Sequence, residues 1–283
     1  NYADLKLGTW YPMGGMHKII EAMVDLAKEK GVFFQTDQAA QRIYKNGLMN
    51  VETQQETFHS DYVVGGADYH HLETQLLDKD DRQYSESYWK SRTMAPSCLI
   101  YYVGVDKRVK NLLHHNLFFD TPFDAHAVEI YKTEKWPTNP LFYVCCPSKT
   151  DSSVAPAGKE NLFILIPIAP GLEGDDNSLR DKYFEMVVER IEKHTGERIK
   201  QHISYQKSYS ISDFKSDYNA FKGNAYGLAN TLKQTAFLKP RLPHKKLKNL
   251  YYTGQLTTPG PGMPPSLISG QVVADQILNR KKN

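Results

Sequence analysis

The most constraining stretch of the chain is its last one. Leu250-Tyr251-Tyr252-Thr253 reads as a short apolar strand, and residues 254–270, GQLTTPGPGMPPSLISG, follow as a Gly/Pro-dense loop that opens into a helix near Pro264-Pro265. A helix that starts straight out of such a loop exposes unpaired backbone N–H groups and the positive end of its dipole. That combination suits a phosphate, or a ring carrying delocalised negative charge. An ordinary turn before a helix satisfies the same spacing. Gly260, Gly262 and Pro265 approach G-x-G-x-x-G, but the third Gly is missing and only one helix follows. No βαβ unit fits here, so this is not a first nucleotide-binding fingerprint.

Upstream, Met16, Ile19, Ile20, Met23, Val24 and Ala27 share one helical face, with Lys28, Lys30 and Gly31 as stop signals. Val32-Phe33-Phe34 is expected as a short buried strand, which makes this an α/β unit rather than a helix bundle. Asn46-Gly47 between residues 42–44 and 48–53 suits a type I′ hairpin turn. Residues 58–64 read as one strand ending at Gly65-Gly66-Ala67-Asp68. Further strands are expected at 97–105, 127–131, 141–146 and 162–168, without a regular β–helix–β rhythm, so they form an antiparallel or mixed sheet set into an α/β (α+β) framework. Ser178 with Asp181 resembles a capping box opening an amphipathic helix through Tyr183, Phe184, Val187, Val188 and Ile191 to Thr195-Gly196.

Several chemistries are excluded. There is no P-loop, G-x-S-x-G, H-E-x-x-H or C-x-x-C. Three cysteines rule out a disulfide framework, and Cys98, Cys145 and Cys146 read as buried reduced thiols of an intracellular protein. The pairs His70-His71 and His114-His115 should point apart on a strand or diverge on a helix, so neither pair alone makes a zinc site and no metal is expected. Glu173-Gly174-Asp175-Asp176 lacks the ligand alternation of a calcium loop. Asp78, Asp80 and Asp81 with Lys79 and Arg82 form a charged surface. The net charge is +3 and the basic residues are scattered, apart from His244-Lys245-Lys246 and Arg280-Lys281-Lys282, so no nucleic-acid partner is expected. The longest apolar run, 162–170, is far short of the roughly 18 residues that cross a bilayer. Trp10, Tyr11, Tyr101, Tyr102, Phe118, Phe119, Phe123 and Tyr143 could line a long apolar tunnel or belong to the core.

Four landmarks in order carry a resemblance over essentially the whole chain. Gly8-Thr9-Trp10-Tyr11-Pro12-Met13-Gly14-Gly15 resembles a G-x-W-[FY]-P-x-G-G segment, and Thr150-Asp151-Ser152-Ser153-Val154-Ala155-Pro156 resembles T-D-x-S-x-A-P. Asn224-Ala225-Tyr226-Gly227-Leu228 leads into Gln234-Thr235-Ala236-Phe237-Leu238-Lys239-Pro240, and 250–270 resembles a C-terminal flavin-binding signature. Together they resemble the C-terminal part of the bacterial phytoene desaturase family of FAD-dependent carotenoid dehydrogenases.

The resemblance implies FAD as cofactor and desaturation of a phytoene-like polyene by hydride transfer to the flavin. It implies a fragment of a two-domain flavoprotein: a returning FAD-domain segment (1–66), a substrate-binding domain (67–240) and a C-terminal FAD-binding segment (241–283). Its partner is then the Rossmann portion of the same polypeptide, which carries the pyrophosphate fingerprint. Without it the fragment should bind FAD weakly or not at all and be inactive. Cofactor contacts carry over to Ala39, near adenine; to Gly254 and Gln255, near the ribityl and phosphate groups; and to Gly262, Met263, Pro264 and Pro265, beside the pyrimidine edge. The chain departs from the family at Gln255, where a small residue is usual, and at Pro265, where a Gly is frequent and an N–H is lost. No catalytic base is assigned. An apolar carotenoid implies a cytoplasmic enzyme docked peripherally on the inner membrane surface, with Leu112, Leu113, Leu117, Phe118, Phe119 and Phe123 as a docking face or, alternatively, a buried helix and strand. Rival readings are a carotenoid isomerase, a carotenoid-oxygenating enzyme, a retinol saturase, or a non-catalytic lipid-binding module.

Overall fold

The computed structural model describes residues 6–8 and 10–280. Thr9 of the opening motif, and Lys281 and Lys282 of the last basic cluster, lie outside the described residues. Helix α1 (His17–Glu29) is followed by a three-stranded antiparallel sheet, β1 (Ala40–Asn46), β2 (Leu48–Thr53) and β3 (Thr57–Ser60). β4 (Val63–Gly65) leaves that sheet and pairs in parallel with β10 (Leu250–Tyr252), Val63 opposite Leu250 and Gly65 opposite Tyr252. Residues 58–64 are therefore two strands in two sheets rather than one. The hairpin forms at Asn46-Gly47, but only Gly47 has positive φ (71°) while Asn46 stays in the strand, so the turn is not type I′.

The largest layer is a five-stranded antiparallel sheet in the order β6 (His115–Phe118), β7 (Phe142–Cys145), β8 (Glu160–Ile168), β5 (Ser97–Val105), β9 (Ile203–Tyr209). Burial along β8 alternates strictly: Leu162, Ile164, Ile166 and Ile168 are inside, and Asn161, Phe163, Leu165 and Pro167 are half-buried. The inner face packs under α5 (Asn177–Thr195) through Tyr183, Phe184, Val187, Val188 and Ile191, as the sequence periodicity requires. Asp176, not Ser178, caps α5, its carboxylate accepting the Leu179 N–H at 2.8 Å, and Gly196 ends it in the left-handed conformation.

Two expected strands are absent. Residues 127–131 belong to helix α4 (Phe123–Tyr131), where His126, Glu129 and Ile130 are buried at helical spacing. His126 fixes α4, with Nε2 against Pro167 O and Nδ1 accepting the Leu141 N–H. Val32-Phe33-Phe34 pairs with no strand among the described residues and is not buried, Phe33 being 95% exposed. His114 precedes β6, and its ring turns back to within 4.3 Å of that of His115 instead of pointing away.

A second core joins the small sheet to the β4–β10 pair through Ile43, Met49, Tyr69, Leu72, Trp89, Leu228 and Tyr252. Short helices α2 (Tyr69–His71, continuing as a π-turn to Leu76) and α3 (Glu86–Lys90) cover it. Within it, the carboxylate of fully buried Glu73 accepts the Tyr252 hydroxyl and the Gln83 N–H at 2.7 Å. His244 lies beside this pair, its Nδ1 accepting the Leu247 N–H at 2.8 Å.

Two stability measurements test this architecture. Ile164→Ala should cost about 2–5 kcal/mol in urea unfolding, because the inner sheet face cannot collapse around the cavity. Burial holds His244 neutral by lowering its pKa from 6.5 to about 4. Between those values the unfolded chain binds a proton that the folded one refuses, so this stabilising contribution, intact above pH 6.5, is lost as pH falls toward 4. The denaturation midpoint should therefore drop less between pH 7 and 5 in His244→Gln than in the parent; equal drops would remove His244 from the account.

Candidate functional site: a cleft beside the C-terminal loop

The parallel strands β4 and β10 end side by side, and each runs into a glycine-containing turn: Gly65-Gly66-Ala67-Asp68 and Thr253-Gly254-Gln255. A Cβ on Gly65 would come within 2.6 Å of Leu72 Cδ1, so any larger residue there would have to push that side chain aside. The Thr253 N–H donates to Gly65 O at 3.0 Å, extending the ladder to the edge of a cleft of about 540 Å3. Gly66, Ala67, Asp68, Asn224, Ala225, Gly254, Gln255 and Ser266 line one side, and Phe214 and Tyr218 from α6 (Ile211–Tyr218) line the other.

One buried knot holds the walls together. Asp68 Oδ1 accepts the N–H groups of His70 and His71 at 2.9 and 3.2 Å, and Oδ2 accepts the Phe221 N–H at 3.1 Å and Asn224 Nδ2 at 3.4 Å. Asn224 Oδ1 accepts the Gly227 N–H at 2.8 Å and Gln255 Nε2 at 3.1 Å. Burial pushes the Asp68 carboxyl above its ordinary range, and these donors pull it back only in part.

The C-terminal loop is fixed by the Gly254 N–H to Ser269 Oγ (2.9 Å) and by Thr257, whose hydroxyl and N–H both donate to Gly254 O. Gly254, Gly260 and Gly262 have φ of 101°, 137° and 110°. A Cβ on Gly254 would meet nothing within 4 Å, so the bare backbone faces open space along the cleft. Helix α7 (Met263–Arg280) begins as expected, but Pro264 and Pro265 have no N–H and Ser266 N–H donates to Gly262 O at 3.0 Å. Gly262 and Met263 are left as the amides of the turn. Lys239 Nζ is buried beside Gly260 without a hydrogen-bond partner, and burial lowers its pKa.

Of the sequence-derived contacts, Gly254 and Gln255 line the cleft. Gly262, Met263 and Pro264 are exposed and Pro265 half-buried in the turn just before the cleft-lining Ser266. Ala39 is exposed at the entry to β1 and does not line the cleft. Asp68, Asn224, Phe214 and Tyr218 were not assigned from sequence. Asp68 was signalled by the Gly-Gly-Ala-Asp strand end, and Asn224 by its own landmark. Nothing local marked Phe214 or Tyr218.

A second feature adjoins the cleft. The five-stranded sheet is covered by α5 on one face only. On the other, the register sets His115, Cys145, Phe163, Tyr102 and Lys207 in one row, and Leu117, Tyr143, Leu165, Ile100 and Tyr209 in the next. Tyr143, Phe163 and Tyr102 are linked ring to ring at 6.4 and 5.6 Å, and Tyr209 lies 6.4 Å from Tyr218 in the cleft wall. Of the aromatic residues singled out in the sequence, Tyr101 and Phe118 are core, whereas Tyr102 and Tyr143 belong to this face.

Parallel strand ends, a backbone-lined cleft and a one-sided antiparallel sheet define a mixed helix-and-sheet α/β fold of the flavoprotein kind. Residues 1–278 match the model of the flavin containing amine oxidoreductases, and the chain belongs to this family, among its phytoene desaturase-like carotenoid desaturases. It is 42% identical over 280 residues to a carotenoid 3,4-desaturase of Haloarcula japonica, covering 98% of this chain and 56% of that protein. It is 28% identical to a zeta-carotene-forming phytoene desaturase of Myxococcus xanthus, covering 98% and 54%. The chain thus spans about half the length of these relatives. Among solved structures, an oxidoreductase from Methanosarcina mazei superposes with a TM-score of 0.64 at 16% identity, covering 93% of this chain and 55% of that one. Cyclohexylamine oxidase from Brevibacterium oxydans gives 0.58 at 9%, covering 95% and 53%. The cofactor of this family is FAD, and the exposed backbone around Gly254 and Gly66 fits a ligand that must approach main chain closely.

The knot has a direct test. Gly227 has φ of 73°, and a Cβ there would stand 2.8 Å from Gln255 O. Gly227→Ala should lower unfolding free energy by about 1–3 kcal/mol and displace Gln255; an unchanged urea midpoint would show that the contact does not constrain the cleft.

Proposed function

We propose that this chain is the substrate-binding and flavin-contacting part of an FAD-dependent carotenoid desaturase, which removes two hydrogens from adjacent saturated carbons of an apolar polyene. The observation that carries this reading is the half-open aromatic face of the sheet, which leads through Tyr209 to Tyr218 and the cleft. Tyr102, Phe163 and Tyr143 offer flat apolar surface to a long hydrocarbon, and the bare backbone at Gly254 offers a seat to a ring system. The flavin supplies a hydride acceptor while a proton leaves the neighbouring carbon. The chain's own part is to hold the polyene along the sheet, exclude water, and present the Gly262 and Met263 amides to negative charge on the cofactor. Similarity to the Haloarcula carotenoid 3,4-desaturase makes 3,4-desaturation the favoured reaction.

The dinucleotide-binding portion that completes such an enzyme would contact the uncovered stripe of α1, where Met16, Ile20, Met23 and Leu26 are 45–56% exposed. The complete enzyme would dock peripherally on the cytoplasmic surface of the inner membrane. The run expected to form the docking face divides in two. Leu112 and Phe118 are core, whereas Leu113 is exposed and Leu117, Phe119 and Phe123 are exposed along an apolar groove. No helix among the described residues is long and apolar enough to cross a membrane.

The complete polypeptide, purified and incubated with carotenoid in liposomes, should show flavin absorption and yield a product two hydrogens poorer by HPLC–mass spectrometry. A product richer in oxygen, or an isomer of unchanged mass, would reassign the reaction. A colourless protein that turns over nothing would overturn it. Tyr102→Ala should raise KM roughly tenfold, equivalent to about 1.4 kcal/mol, with smaller effect on kcat. Phe119→Ser with Phe123→Ser should reduce liposome co-flotation; unchanged flotation would place the docking face elsewhere.

A further inference from the structure

His114, His115 and Cys145 meet at the β6–β7 edge of the large sheet, the edge opposite β9 and the cleft. His115 and Cys145 are cross-strand partners, so their side chains leave the same face. His114 sits one residue before the strand and its ring folds back over that of His115. One ligand atom from each of the three residues lies within 4.8 Å of the others. Around a tetrahedral zinc with bonds of about 2.0–2.3 Å, neighbouring ligand atoms stand roughly 3.3–3.8 Å apart, so small side-chain rotations close the set.

The surroundings are those of ligands rather than of a chance cluster. Thr150 Oγ1 lies 2.7 Å from His114 Nδ1, and the Tyr143 hydroxyl pairs with His115 Nδ1. Each hydroxyl fixes one ring nitrogen and leaves Nε2 for another partner, as outer-shell groups do around metal-bound histidines. His114 Nε2 is buried with no hydrogen-bond partner. The Tyr11 ring packs edge-on against His114 at 4.9 Å, and the Gly14 N–H to Asp151 Oδ2 at 2.6 Å holds that segment in place. His115 is exposed, which leaves solvent access for a fourth ligand.

We propose that His114, His115 and Cys145 bind a divalent late transition-metal ion, Zn(II) by the softness of the donor set, with water in the fourth position. Binding replaces the Cys145 S–H bond with an S–Zn bond and releases the proton to solvent, with no change of oxidation state. Because ligation displaces the thiol proton, affinity should rise with pH.

The full chain, stripped with a chelator and titrated with Co(II), tests this without reference to flavin or turnover. A thiolate-to-cobalt charge-transfer band should appear stoichiometrically and vanish on addition of Zn(II). Cys145→Ser should lack the band, and His115→Ala, at an exposed position, should weaken Co(II) binding at least tenfold. Tyr143→Phe should weaken it roughly tenfold, the scale of losing one outer-shell partner, and His17→Ala should change nothing. Absence of the band from the folded parent chain overturns the site, as does a band that persists in Cys145→Ser.

Discussion

The cleft wall depends on a single half-buried carboxylate that ties its own turn to a stretch of chain distant in sequence. Asp68 closes β4, caps α2 and reaches the 221–224 turn, and through Asn224 the same network extends to Gly227 and Gln255. A buried carboxylate is costly unless its lone pairs are filled, so each donor is under pressure to stay where it is. The rise in the Asp68 pKa shows that the donors offset burial only partly. Breaking one of them leaves the rest holding an under-paired charge, and the cleft wall is therefore cooperative.

The open sheet face follows from a different constraint. The five strands offer two apolar faces, and α5 covers one. Tyr101 and Tyr102 are neighbours in sequence with opposite fates. Tyr101 is fully buried under α5, its hydroxyl donating to Arg180 O at 2.6 Å, while Tyr102 is 42% exposed on the other side. The strand period alone produces that division. A sheet with one closed and one aromatic, half-open face is a rigid platform with a surface to spare, and Tyr209 of its β9 edge reaches Tyr218 in the cleft wall.

The elements legible in the sequence were those with a strong apolar signal. α5 carries an unbroken period of 3.6 and residues 162–168 of β8 an uninterrupted apolar run, and both formed where expected, as did the strand, loop and helix at the end. The 127–131 run failed because Ala127, Val128, Ile130 and Tyr131 fit either period, and the register of His126, Glu129 and Ile130 against the neighbouring sheet decided for helix. The parallel pairing of 63–65 with 250–252 leaves no local trace, since its partners lie far apart in the chain. The convergence of His114 and His115 leaves no local trace either: adjacent side chains diverge only where both lie within one regular element, and β6 begins between these two.

Three of the apolar surfaces exposed among the described residues differ in shape. The α1 stripe is narrow and helical, the sheet face is broad and aromatic, and the Leu117–Phe119–Phe123 patch is a knob of separate side chains beside a groove. Apolar surface on this scale marks contact sites rather than ordinary solvent-facing protein. Under the proposed function the shapes sort themselves. A helix stripe suits packing against another protein layer, a flat aromatic platform suits a long planar hydrocarbon, and projecting side chains suit the disordered boundary of a lipid leaflet. Exchanging any two of these assignments worsens the fit. A lipid leaflet would leave the recessed Phe163 uncovered, and a rigid polyene would span the gaps between Leu117, Phe119 and Phe123 without filling them.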